Sequence, residues 1–113
     1  EGQGSLMNPA YPGGFEILAA GRPDYVILQH APKRVEYDGF PGYKMHSLVE
    51  QINAIQVISG KEVIAITVNH EGMEKDEILD VCKAITLETK LPAFDVLEYG
   101  AEDLIALLMP EIK

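Results

Sequence analysis

Two short, unbroken runs of β-branched and aromatic residues constrain this chain most: Tyr25-Val26-Ile27-Leu28-Gln29 and Glu62-Val63-Ile64-Ala65-Ile66-Thr67-Val68. Neither alternates polar with apolar, so each reads as a strand covered on both faces, the environment of a parallel sheet. A weaker run, Phe94-Asp95-Val96-Leu97, follows Pro92, which ends whatever precedes it. Between the runs the apolar spacing becomes helical. Residues 74–89 place Ile78, Val81, Cys82 and Ile85 on one stripe. Their first turn is acidic (Glu74, Asp76, Glu77) and Lys90 lies at their end, as a helix dipole favours. A second helix begins at Ser47, where Ser47-Leu48-Val49-Glu50 is a capping box, and ends near Gly60. Shorter helices are expected from Gly14 to Ala20 and after Gly100, the latter with Leu104, Ile105, Leu107 and Leu108 as its apolar side. This alternation predicts the α/β class, a parallel sheet with flanking helices and right-handed crossovers.

The chain has 113 residues, enough for one domain with a core of its own. A net charge of −9, with nine Lys and Arg in no cluster, argues against a nucleic-acid or anionic-membrane partner. A small phosphorylated ligand remains compatible, because backbone N–H groups and a bound cation can hold phosphate. No apolar run approaches the roughly 20 residues of a membrane span. The single cysteine, Cys82, forms no internal disulfide, which fits a reducing, cytoplasmic setting. The first residue is Glu1, inside a Gly-rich motif, so the chain reads as part of a longer protein. A sheet edge left open by missing strands is expected to promote self-association, and a homo-oligomer is the expected assembly.

Parallel sheets place ligands beyond the carboxyl ends of their strands. Four stretches fall there: Glu1-Gly2-Gln3-Gly4-Ser5, His30-Ala31-Pro32-Lys33-Arg34, Asn69-His70 and Glu98-Tyr99-Gly100. Glu1 offers a carboxylate to a cation such as Mg²⁺, and Gly2 and Gly4 allow close backbone approach to a ligand. No GxxxxGK[ST] phosphate loop occurs, and Gly-x-Gly alone is equally a strand-to-helix turn. His30 can carry a proton or bind a ligand, or simply cap the sheet edge. Arg34 can clamp a carboxylate or phosphate, or join a surface ion pair, and with Asp38 it lies in the long loop from Ala31 to Tyr43. Asn69 can read a base edge or sit in a turn. His30, His46 and His70 share no metal-ligand spacing, and Cys82 belongs to its helix's apolar stripe.

The stretch Glu1-Gly2-Gln3-Gly4-Ser5-Leu6-Met7-Asn8-Pro9-Ala10-Tyr11 resembles the EGQGSL-x-HP-x-Y motif of domain-of-unknown-function family sixteen-eleven. The likeness continues through Arg22-Pro23-Asp24, His30-Ala31-Pro32-Lys33-Arg34, Gly39-Phe40-Pro41-Gly42-Tyr43 and Gly100-Ala101-Glu102-Asp103-Leu104. The resemblance implies the carboxyl-terminal part of a P-loop NTPase-like, Rossmann-like three-layer domain, with its phosphate loop upstream. Some members are named D-glutamate N-acetyltransferases, so an amino acid bearing carboxylates is an expected substrate. It further implies ATP or a related nucleotide with Mg²⁺ as cofactor of the full-length protein. In that picture Glu1 contacts the metal and Gly2, Gln3, Gly4 and Ser5 line the cofactor. Asn69 contacts the base, while His30 and Arg34 contact substrate. Asn8 stands where the family pattern has His, which removes a ligand role expected there.

Three readings follow from the sequence. The first is a nucleotide-binding enzyme that modifies a small carboxylate or amino-acid substrate. The second is an N-acyltransferase acting on D-glutamate without nucleotide hydrolysis. The third is a non-catalytic module that binds a metabolite or protein. Under either enzymatic reading the segment alone is expected to be inactive.

Overall fold

A computed structural model of the chain describes Met7, residues 13–36 and residues 42–109. The chain divides into two compact units, Glu1–Val26 with Arg34–Val63, and Ile27–Lys33 with Ile64–Lys113.

The first unit contains α1 (Gly13–Gly21) and α2 (Leu48–Ser59), which contact each other. The start of α2 is fixed as the capping box predicts. Ser47 Oγ accepts from Glu50 N at 3.1 Å, and Glu50 Oε1 accepts from Ser47 N at 3.2 Å. At its end Gly60 adopts the left-handed conformation (φ 70°), and its N–H donates to Gln56 O. A Cβ would strain that φ, which is why glycine ends the helix here. The buried face of α2 is Leu48, Gln51 and Ile55. Gln51 is buried without an orphaned amide because its Nε2 donates to His46 O at 3.0 Å.

The second unit holds nearly all of a three-stranded parallel sheet in the order β1 (Val26–His30), β2 (Val63–Val68), β3 (Ala93–Phe94). Ile66 lies opposite Ala93, and Thr67 opposite Phe94. In central β2, Val63, Ala65, Ile66 and Val68 are buried, as a run of apolar residues covered on both sides requires. Edge strand β1 differs from expectation. Leu28 is buried, but Ile27 and Gln29 are exposed, so only one face is covered. A strand with a single neighbour has less cover than a central one, and the apolar run alone does not reveal which strand is central.

After β2 the chain forms a 3-10 turn (Lys75–Glu77) and then α3 (Ile78–Thr89), which contacts β3. Of the predicted stripe, Ile78, Cys82 and Ile85 are buried, and Val81 is only half-buried. Cys82 is a core thiol, pushed above its ordinary pKa by burial and by the neighbouring Asp95. The third strand is shorter than its apolar run suggests. It stops at Phe94, and Val96 and Leu97 belong instead to a one-turn helix, α4 (Val96–Tyr99). Asp95 causes the change, since its side chain accepts from Glu98 N and caps that helix. The last helix, α5, spans Glu102–Leu108.

Candidate functional site at the strand exits

The carboxyl ends of β1 and β2 are joined directly, with Asn69 N donating to His30 O at 2.7 Å. Two of the stretches predicted to share a rim therefore meet. His30 is the last residue of its strand rather than the first beyond it, and it is half-buried. Burial holds its imidazole below the ordinary pKa, with the Glu88 carboxylate partly opposing the shift. A histidine whose folded pKa is depressed favours the native state in its neutral form. Its contribution is fully present above the unfolded pKa of about 6.5. It is lost as pH falls through that value toward the lower folded pKa. We expect urea unfolding of the chain to show this acid-side loss of stability, and His30→Gln to flatten that part of the profile.

Asn69 makes the turn contact rather than projecting its whole amide outward. Its Oδ1 accepts from Glu71 N at 3.0 Å, closing an Asx turn at the exit of β2. That turn delivers His70. His70 Nδ1 lies 2.6 Å from Asp95 Oδ2, across the carboxyl ends of β2 and β3. The Asp95 side chain is fully buried, whereas 35% of the His70 side chain is exposed. The second oxygen of Asp95 is also used, accepting from Glu98 N at 3.0 Å. Both lone-pair sites that set the carboxylate's orientation are therefore engaged, and it cannot swing without uncapping α4. In the tautomer whose Nδ1–H donates to the carboxylate, Nε2 is the ring's remaining acceptor on a partly exposed side chain.

Two lysines form ion pairs in the same unit, one of them with the residue whose N–H holds Asp95. Lys75 Nζ is 3.1 Å from Glu98 Oε1, and Lys33 Nζ is 3.5 Å from Glu77 Oε2. Glu77 is itself fixed by Glu74 N, whose 2.8 Å hydrogen bond, followed by Lys33, holds its carboxyl below the usual range against some desolvation. The Lys33 stem passes over Gly72, where an added Cβ would meet Lys33 Cβ at 3.5 Å. That is ordinary contact, so it is the positive φ of 74° that demands glycine there.

Of the residues expected to form the site, His30, Asn69 and the neighbouring His70 come together in the second unit. Arg34 and His46 belong to the first. Glu1, Gly2, Gln3, Gly4, Ser5, Asn8 and Asp38 lie outside the described residues. No group of three or more His, Cys, Asp or Glu able to hold a metal occurs among the described residues. Asp95 was not expected at all. Its sequence signal was Asp95-Val96-Leu97-Glu98, a capping residue followed three places later by Glu, but the apolar neighbours favoured a strand.

The family described as "Domain of unknown function (DUF1611_C) P-loop domain" matches residues 1–105, most of the chain. The chain belongs to this family. A crystal structure of a DUF1611 family protein from Anabaena variabilis ATCC 29413 shares the fold, with a TM-score of 0.87 over 97% of this chain at 23% identity. It covers 34% of that protein. Two curated relatives are named D-glutamate N-acetyltransferase. One, from Tritonibacter scottomollicae, is 31% identical over 114 residues, and the other, from Pseudoalteromonas sp., is 26% identical over 115. Each match covers 96% of this chain and 34% of the relative, so this DUF1611 domain spans about a third of their length. No helix among its described residues is long and apolar enough to cross a membrane.

Proposed function

We propose that this DUF1611 domain supplies a general base for acyl transfer to the amino group of an acidic amino acid, in a longer protein. The observation that carries the reading is the Asp95–His70 pair, a buried, doubly held carboxylate behind a partly exposed imidazole. An α-amine is protonated near neutral pH and attacks a thioester only after losing that proton. That first proton passes to solvent; His70 Nε2 accepts the second as the amine nitrogen forms the new C–N bond and the C–S bond of the acyl thioester breaks, which leaves a neutral amide. The imidazolium, stabilised by Asp95, returns the proton to the departing thiolate. The names of the two relatives support D-glutamate as substrate and an acetyl group as cargo.

The test is direct. Full-length protein incubated with acetyl-CoA and D-glutamate is expected to form N-acetylglutamate, and absence of that product under saturating substrates contradicts the reading.

The family's description as a P-loop domain favours a second reading, in which the full-length protein also binds ATP with Mg²⁺. Glu1 would contact the metal, Gly2, Gln3, Gly4 and Ser5 the cofactor, and Asn69 the base, while Arg34 and His30 would each contact substrate. Titration calorimetry of the full-length protein separates the readings, because no heat with millimolar nucleotide removes this one.

A further inference from the structure

A base that serves an acidic amino acid must also hold two carboxylates, and the rim around His70 is unfavourable to anions. Glu71, Glu74 and Asp76 are exposed there, in a chain of net charge −9. Matching cations are few. Among the described residues of the second unit the lysines are Lys33, Lys75, Lys83 and Lys90, and there is no arginine. Lys83 lies within α3 and Lys90 caps its far end, next to the start of β3, away from the strand exits. Only Lys33 and Lys75 belong to the exits.

Both are tied to the His70 pair by contacts already described. Lys75 reaches it through Glu98, whose backbone N–H holds Asp95. Lys33 rests on Gly72, two residues beyond His70. Among the described residues each ammonium is paired with one carboxylate, and it carries three donors, so it can still donate to a second carboxylate. Glu77 and Glu98 then act as anchors that hold each ammonium in place before substrate arrives, which reduces the ordering cost of binding.

We propose that Lys33 and Lys75 are the specificity-determining cations of this site, each receiving one carboxylate of an amino acid that bears two. The proposal rests on the acyl-transfer reading for its substrate class, but its test is a binding measurement. Calorimetry on the full-length protein uses D-glutamate and D-glutamine, which keeps the α-carboxylate and replaces the other with an amide. Lys33→Met and Lys75→Met preserve the stems and remove the charges. Each is expected to weaken D-glutamate binding about tenfold, as loss of one charge-assisted hydrogen bond does. Arg at either position should retain most of the affinity, which distinguishes a lost charge from a disturbed fold. D-Glutamine should lose affinity in one single variant and be indifferent to the other.

Wild-type affinity for D-glutamate in both Met variants overturns the proposal, as does a wild-type protein that binds neither amino acid. Acetyl transfer measured on the same proteins keeps the two ideas apart. Lysine-dependent binding without turnover leaves this proposal standing and removes the acyl-transfer reading. Turnover with lysine-independent affinity does the reverse.

Discussion

Asp95→Asn in the full-length protein is expected to lower kcat for acyl transfer about 10²- to 10⁴-fold, the range that general acid–base groups contribute. Asn keeps the shape of Asp95 and can still accept from Glu98 N, so α4 remains capped. It removes the charge that stabilises the imidazolium. If the amide turns its N–H₂ toward His70, Nδ1 becomes the acceptor and Nε2 carries the hydrogen, leaving no base toward solvent. His70→Ala is expected to fall at least as far in kcat with a smaller change in KM, because the proton transfer belongs to the transition state. The two substitutions together should cost little more than the larger alone, since both break one unit. A purely structural tie between the β2 exit and α4 would instead show as lost stability with kcat retained.

The second large effect is on the fold. Ile66 is fully buried in central β2, opposite Ala93, and its N–H donates to Pro92 O at 2.9 Å. Ile66→Ala removes three carbons from a fully buried side chain and leaves a cavity that its surroundings fill only in part. The expected loss is about 2–5 kcal/mol, measured as a lower urea midpoint with an unchanged slope. Domain stability is only about 5–15 kcal/mol in total, so this variant should be close to unfolded at elevated temperature. Exposed Ile27 on edge strand β1 provides the contrast, and Ile27→Ala should cost much less. A similar loss at both positions would mean that β1 is covered in the same way as β2.

The backbone of this domain was readable because its signals are local. Ser47 and Glu50 lie three residues apart, Gly60 follows directly on α2, and the Ile78, Cys82 and Ile85 stripe repeats at helical spacing. The exit of β2 was legible, though β1 runs one residue past its predicted end and β3 stops short, and the parallel-sheet rule brought His30 and Asn69 together. The His70–Asp95 pair was not legible. His70 and Asp95 are 25 positions apart, so their contact depends on β2 and β3 pairing in one register, which no spacing in the sequence encodes. Asp95 was further concealed between Phe94 and Val96, where apolar neighbours suggested a continuing strand while the side chain was capping a helix. Asn69 met its turn-forming role, which competed from the start with base recognition.

The fixed orientation of the His70 ring is the point on which the account turns, and nitrogen NMR of the imidazole reads it without any turnover. At a pH where the ring is neutral, ¹⁵N-labelled protein should show His70 protonated at Nδ1 and bare at Nε2, with the pattern altered in Asp95→Asn. A neutral His70 carrying its hydrogen on Nε2 in the wild-type protein would contradict the account, because no base would then face the amine.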